Sequence, residues 1–597
     1  MGGHVSTPLQ PDKMISKLAK TNPAAGPFLR FAGYDPNKET ENYRVSCLYV
    51  RYEGHVGGAP DRGKQPAPKA MQNGDAAAAM QNGNGAAIQN GNGAAHVEVN
   101  CTNGAESKDN LPVLSYGEAQ TKVKPLLLDE WKGWHFYRFD LALTCQEVEH
   151  KVTYSVEDPS MKASTREHCF YVPPACGDWH WAYYSCNGFH EPEPAVQYKG
   201  VQPLWRDLMA RHQQQPLQLG VGGGDQLYND DLWRCPSLKR WCAFKDRQER
   251  NKQPFSQEMI NEVNDCYLAL YLQHWMQPVF RDALASIPQG CYKTARKFYA
   301  LFQLHTTPER AAEDGMFGAA DGWCQLTCLG PKHALLLPDM RSERTQEQIV
   351  SADTWKMIAE RVMALPEGVE HLIVSSAVPF IFPEVPTAIP VARCFNKLGL
   401  ECFSCMTVVR ESKLDPGIFN AFGTVDLLDD LLDSWNADVH QEERKSTIEM
   451  FQRLAEARRL RVSILAGMMV HVTSSAIGNA PPPDVLIDLL NKAAKRSNFN
   501  EDTVQDYYQL SDDSDDKIRG LRNWCEITSS MGEPGGQGSS VTFELRFEVV
   551  KDGIVNAKPK ITTYTVKALP LRPKQSLTCQ QEVNAEQITP ELTSQEA

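Results

Sequence analysis

No stretch of this 597-residue chain stays apolar long enough to cross a bilayer; the longest run, residues 372–382, is too short to span one and is interrupted by Pro379. Cysteine is scarce. The 17 cysteines are about 3% of residues, well below the ~8–10% of a disulfide-stapled scaffold, and they are scattered and odd in number. That usage excludes a disulfide framework and points to reduced thiols in a cytosolic-type compartment. Positive charge is not in excess either. With 61 Lys and Arg against 74 Asp and Glu the formal net charge is −13, which argues against a nucleic-acid partner or a general ligand of anionic membranes. The N-terminal stretch lacks the apolar core of a secretory signal, so a cytoplasmic protein with no transmembrane segment is expected. Gly2 and Ser6 do fit the myristoylation pattern M-G-x-x-x-[ST], which would add peripheral membrane association, although one acyl chain anchors only marginally. What remains is ordinary: 42% hydrophobic and 23% charged residues, enough to bury a large core and to exclude disorder throughout.

The character of the chain changes along its length. Residues 71–96 repeat MQNGDAAAA, MQNGNGAA and IQNGNGAA. Gly, Asn and Ala cannot bury enough apolar area to offset the entropy of ordering, so residues 57–110 are expected to be a disordered insert. Residues 58–64 imitate a phosphate-binding loop, but Gln65 stands where Ser or Thr is required and Pro66 follows, so that reading is rejected. Around the insert the pattern is β: residues 43–52, 134–143 and 151–155 read as strands. They predict a small β-sandwich domain over 43–175, after an N-terminal tail of 1–42. From residue 176 strands alternate with amphipathic helices. Strands are expected at 217–221, 334–337, 372–375 and 461–466, with helices opened by Ser256 and spanning 345–365 and 442–460. Segments 541–550 and 560–566 are expected to pair. The whole reads as a mixed α/β (α+β) domain over 176–568 with its site at strand ends, followed by a flexible tail at 569–597.

Two segments carry chemistry-bearing residues at strand tips. The first, LQLGVGGGDQLYND, delivers Asp225 after three glycines that permit close backbone approach, and lacks the G-x-G-x-x-G spacing of a dinucleotide loop. The second, WAYYSCNGF, is a strand running into a small-residue turn at Cys186; a lone cysteine there is more often a small buried hydrophobe than a ligand. Other signals are weak. Cys402 and Cys405 form a single C-x-x-C without a second pair at zinc spacing, and no G-x-S-x-G elbow supports a serine hydrolase.

Eight blocks in order give a resemblance to a known family: WKGWHFYRFDL, SCNGF, GGGDQLYND, FYALFQLHTTPER, LLLPDMRSERT, HLIVSSAVPFIFPE, HQEERKSTIEMFQRLAEARRLRVSILAG and LRNWC. Together they resemble the PhoD-like phosphatases, metal-dependent phosphoesterases with a calcineurin-like metallophosphatase core. The resemblance implies a four-layer α/β/β/α sandwich and a two-metal site that hydrolyses phosphate esters, monoester or diester. It implies a ferric ion (Fe3+) held by Cys186, a bridging Asp225 and Tyr228, and a second divalent metal, Ca2+ or Mg2+. Thiolate and phenolate suit ferric iron, and a carboxylate can bridge two cations. His471 is implied as a further metal ligand. Arg341 and Arg344 are implied as phosphate contacts, against the alternative of structural ion pairs with Glu343 or Asp339.

The departures matter as much as the match. The family carries a D-D-H-D-type block after a segment similar to residues 285–289. Here Gln289 runs through Gly290 straight into Cys291-Tyr292-Lys293, which resembles family sequence lying well downstream. The strand and loop that bring the second metal's ligands are therefore expected to be absent. After strand 461–466 the family has G-D-V-H; this chain has Gly467-Met468-Met469-Val470-His471, with a thioether where a hard carboxylate belongs. Asp438-Val-His440 does not replace it, because Asp438 precedes the strand and reads as a helix cap. Three readings follow: a phosphoesterase whose sequence lacks coding segments, a pseudo-phosphatase acting as a binding or regulatory protein, and an enzyme with recruited ligands. The clean junction favours the first, and low activity of the chain as written is expected.

Overall fold

The computed structural model describes residues 9–54, 110–161, 165–189, 192–244, 247–254, 256–291, 296–319, 322–345, 347–380, 435, 437–466, 472–473, 476–481, 484–499, 503–507, 516–532, 538–549 and 559–570. Gly2, the 57–109 part of the expected insert, the Cys402–Cys405 pair, Met469, His471 and residues 571–597 lie outside the described residues.

Two sheets form the centre. The larger has ten strands, in the order Lys560–Ala568, Ser540–Val549, Asn523–Ser530, Trp179–Tyr184, Leu219–Gly222, Gln289–Cys291, Ala24–Tyr34, Tyr43–Tyr52, Trp134–Leu143 and Leu126–Trp131. The strands beginning at Trp179, Leu219, Gln289 and Ala24 are parallel to one another, so their C-terminal ends open on one rim. The second sheet orders Gln325–Cys328, His333–Leu337, His371–Ser376, Arg461–Ala466 and Val472–Thr473, the last four parallel. Its inner strands are continuous apolar runs because both faces are covered.

Period-two alternation assigns the faces. On the Trp179–Tyr184 strand, Trp181 and Tyr183 join the core formed with Leu335, Val374 and Leu465 of the second sheet. Ala182 and Tyr184 instead join Leu204, Trp205, Tyr271 and Phe298 of the helices Gln202–Gln214, Gln257–Trp275 and Arg296–Leu304. Helices Ala352–Met363 and Gln441–Arg458 close the second sheet with Trp355, Ile358, Met450 and Leu454. The result is the four-layer helix–sheet–sheet–helix sandwich that the resemblance implies. At the N-terminal end, strands of the large sheet share a core with a four-stranded sheet (Leu114, Val152, Phe170 against Cys47, Phe139, Leu141), and Arg51 clasps Asp158 at 2.8 Å.

Most element ends agree with the pattern in the sequence, and the differences have local causes. Ser256 caps its helix by accepting from the Met259 N–H. The helix expected at 345–365 starts only at Ala352. Thr345 Oγ1 takes the N–H groups of Glu347 and Gln348, and the Glu443 carboxylate takes those of Ile349 and Val350, so that stretch is committed to side chains before Ser351 caps the helix proper. Asp438 opens a short 3-10 turn and makes no side-chain cap; His440 stands at the helix N-cap position. The strand expected to be absent is present in part: Gln289–Cys291 fills the slot beside Leu219–Gly222, pairing Gly220, Val221 and Gly222 with Gln289, Gly290 and Cys291. On its other side one register pair, Arg30 with Gln289, joins it to the N-terminal strands.

Candidate metal site

The loops leaving strands Trp179–Tyr184 and Leu219–Gly222 lie side by side and are stitched by main-chain bonds: Gly223 N–H to Tyr184 O, Cys186 N–H to Gly224 O, and Asn187 N–H to Asp225 O, at 2.7–3.0 Å. Such close approach needs glycine, since a Cβ on Gly223 would lie 1.9 Å from Tyr183 Oη. Cys186 and Asp225 both take left-handed backbone, with φ of +49° and +48°, a conformation that side-chain-bearing residues adopt at a cost of about 1–3 kcal/mol each. Strain at matching positions in two adjacent loops marks them as held for something other than stability.

The three donors converge. Cys186 Sγ lies 3.8 Å from Asp225 Oδ2, and Tyr228 Oη lies 3.5 Å from the same oxygen. The Tyr228 hydroxyl and the Cys186 thiol are also hydrogen-bonded to each other. Burial pushes the Cys186 thiol up to about 12, with the Asp225 charge adding to it. Burial likewise holds the Tyr228 phenol well above its usual range, the neighbouring Cys186 and Asp225 reinforcing this. With their pKa values raised, the thiol and the phenol are held protonated beside the carboxylate, and a cation bound there would favour their deprotonated forms. The S, O and O donor set is of a kind that would suit a ferric ion.

A third segment closes the corner from above. Residues 476–479 follow the second sheet, and the N–H groups of Ile477, Gly478 and Asn479 donate to Ser185 O and Cys186 O at 3.0–3.2 Å. A Cβ on Gly478 would meet the Gly188 nitrogen at 2.9 Å. The segment is anchored in turn by Arg522 and Asn523: Arg522 donates to Gly478 O at 3.2 Å, and the Asn523 N–H to Ala476 O at 3.2 Å. Arg522 forms a 2.7 Å ion pair with Glu548, both side chains 1% exposed. Asn187 is held below by Trp205 Nε1 at 2.8 Å and His274 Nε2 at 3.2 Å.

The two implied arginines are described in other surroundings. Arg341 is exposed on the loop after His333–Leu337, where its main-chain N–H caps Asp339. Arg344 lies near Glu443, whose carboxyl burial pushes up in pKa while the Ile349 and Val350 N–H groups, the Trp355 indole and the Arg344 charge oppose that shift. His471 lies outside the described residues. Among the described residues no group of three or more His, Cys, Asp and Glu is assembled for a metal. Asn187, Asn479 and Arg522 went unnoticed in the sequence as supports of the site. Asn187 lies inside the SCNGF block and Arg522 inside LRNWC, and a Gly-Asn pair ahead of Ala480-Pro-Pro-Pro is a turn signal that would have found Asn479.

The chain is similar to several known proteins. An uncharacterized protein of Saccharomyces cerevisiae is 25% identical over 524 residues, spanning 69% of this chain and 73% of its own. The solved structure of PhoD covers 93% of this chain and 92% of its own with a TM-score of 0.43 and 12% identity. A purple acid phosphatase from seeds of yellow lupin (Lupinus luteus) covers 91% of this chain and 74% of its own, with a TM-score of 0.37 and 10% identity. The family described as PhoD related phosphatase matches residues 143–295, 289–401 and 399–485, more than half of the 597 residues, and the chain belongs to that family.

Proposed function

We propose that this chain is a PhoD-like phosphoesterase, acting on phosphate esters, that keeps the iron half of a two-metal site and lacks most of the other half. The observation that carries this reading is the convergence of Cys186, Asp225 and Tyr228 around one oxygen of Asp225, on two loops with matched left-handed backbone. A cation there would supply Lewis acidity toward a phosphate oxygen and acidify a bound water. The chain's own part is to hold it: Asp225 as the bridging carboxylate, Cys186 and Tyr228 as the anionic donors of the ferric position. Arg341 and Arg344 would contribute charge to phosphate binding if the loop carrying them turns toward the corner.

The second position, for Ca2+ or Mg2+, keeps few donors in this sequence, the bridging Asp225 and His471 among them. The sequence after Gln289 lacks the family's D-D-H-D-type block, and Met469 stands in place of a carboxylate before His471. The family match breaks at two places, 289–295 and 399–401. The first coincides with the junction after Gln289 in the sequence, which supports a missing coding segment over gradual decay. A catalytically inactive pseudo-phosphatase with a binding or regulatory role is the alternative.

The test compares this chain with one carrying a family-like D-D-H-D block after Gln289 and an Asp before Val470, each supplied with iron and with calcium or magnesium and assayed on an aryl phosphate and a phosphodiester. Losing one of two cations removes several kcal/mol of transition-state stabilisation, so the repaired chain is expected to exceed the unrepaired one by about three orders of magnitude or more. Robust chelator-sensitive turnover by the unrepaired chain would overturn the reading and favour recruited ligands. No turnover by either, with the fold intact, would favour the binding-protein alternative.

A further inference from the structure

We infer that Asn479 is a positioning residue for the tyrosine donor of the metal corner, an inference that rests on the reading of Cys186, Asp225 and Tyr228 as a ferric site. The orientation of its amide is fixed by the structure. Asn479 Oδ1 accepts from the Ala480 N–H at 2.8 Å, so the NH2 end is the one that faces Tyr228 Oη, at 3.0 Å. An amide nitrogen can only donate, and the phenolic oxygen therefore accepts at this side. Its own O–H is left to point toward Cys186 and Asp225, the side on which the three donors meet. Asn479 thereby holds the phenolic oxygen facing the other two groups of the corner.

The segment is built to do this. Asn479 does not reach across from a mobile surface: its own N–H is bonded to Cys186 O at 3.1 Å, so the residue that supports the tyrosine is tied to the main chain of the cysteine donor. Gly478, whose carbonyl takes Arg522, fixes the approach. A change in the Asn479 side chain should therefore move the tyrosine oxygen relative to the sulfur, and leave Cys186 and Asp225 joined by their own loop-to-loop bonds.

The experiment loads the full chain with ferric iron alone and records the visible charge-transfer absorption of a ferric phenolate, with affinity measured by titration. Tyr228→Phe identifies the band, because it removes the phenolate. Asn479→Asp keeps the acceptor for the Ala480 N–H and replaces the donor facing Tyr228 with a carboxylate oxygen. It is expected to shift or bleach the band and to weaken ferric binding about tenfold or more, the usual effect of removing a hydrogen bond to a metal ligand. Asn479→Ser, which retains a hydroxyl at the site, is expected to fall between and serves if the Asp variant does not fold. A wild-type chain with no phenolate band would overturn the ferric reading itself. A wild-type band left unchanged in position and affinity by folded Asn479 variants would overturn this inference alone.

Discussion

Two neighbouring strands of the same sheet have opposite fates at their C-terminal ends. Leu219–Gly222 leads into a loop in which three glycines, a left-handed Asp225 and three interloop main-chain bonds set a carboxylate beside a thiol and a phenol. Gln289–Cys291, next to it, satisfies the ladder with three residues and passes within a few residues to helix Arg296–Leu304. The contrast separates two things usually seen together. Filling a slot in a sheet needs only backbone donors and acceptors, which any three residues supply. Delivering a side chain to the rim needs the residues beyond the strand, and the proposed difference between the two halves of the site lies there.

The sharpest way to test that difference is to loosen the intact side. Arg522→Met leaves Glu548 as a lone buried carboxylate and removes the bond to Gly478 O, so we expect a loss of ~3–5 kcal/mol in denaturant unfolding, the usual consequence of breaking a buried pair. Replacing both partners with apolar residues, Arg522→Met with Glu548→Leu, should recover most of that stability yet leave segment 476–479 less well anchored. If the single variant unfolds like the wild type, the ion pair is not what holds the third segment over the corner.

How much of this was legible in the sequence depends on what each feature answers to. Strands Tyr43–Tyr52, Trp134–Leu143 and Arg461–Ala466 have the ends that their alternation predicts, because burial on a pleated surface is what selects those residues. The Ser256 cap was equally local. The helix starting at Ala352 instead of 345 was not readable, since its boundary is set by Glu443, nearly a hundred residues away. The corner itself was readable only through the family pattern: nothing in SCNGF or GGGDQLYND alone says that Cys186 and Asp225 adjoin. Their supports were less legible: the turn signal marks where Asn479 lies but not the Tyr228 hydroxyl it reaches, and Arg522 acts in part through the Gly478 carbonyl, which carries no mark in a sequence.

On the deficient side a smaller effect is expected. Gln289 is buried, accepts from Tyr184 Oη at 2.8 Å and donates to Ile287 O at 2.7 Å. Gln289→Ala removes the acceptor of that Tyr184 bond and the donor to Ile287 O, which should lower stability by ~1–3 kcal/mol in the same measurement. If it falls by as much as Arg522→Met, the short strand is as firmly built as the corner, and the comparison fails.

The smallest expected effect is a pH dependence on the corner side. His274 is enclosed by Trp275, Phe280 and the Asn187 side chain, and burial brings its pKa down to about 4. The hydrogen-bond network gives the same direction independently. The Trp205 indole N–H can only donate, so Asn187 Oδ1 accepts and Asn187 Nδ2 must donate to His274 Nε2, which a protonated ring cannot accept. In the unfolded chain the imidazole titrates near 6.5. Above that value both states are neutral and nothing is gained or lost. As the pH falls below it the unfolded state takes up a proton that the folded state refuses. Stability then drops by up to ~1.4 kcal/mol per pH unit, levelling off near pH 4 where the folded state protonates too. His274→Gln keeps an acceptor for Asn187 and cannot titrate, so chemical unfolding measured between pH 7 and 5 should show a slope lower by about one proton than in the wild type. An identical slope in the two proteins would mean that the imidazole is protonated in the folded state and that the Trp205–Asn187–His274 chain is not what fixes the turn carrying Cys186.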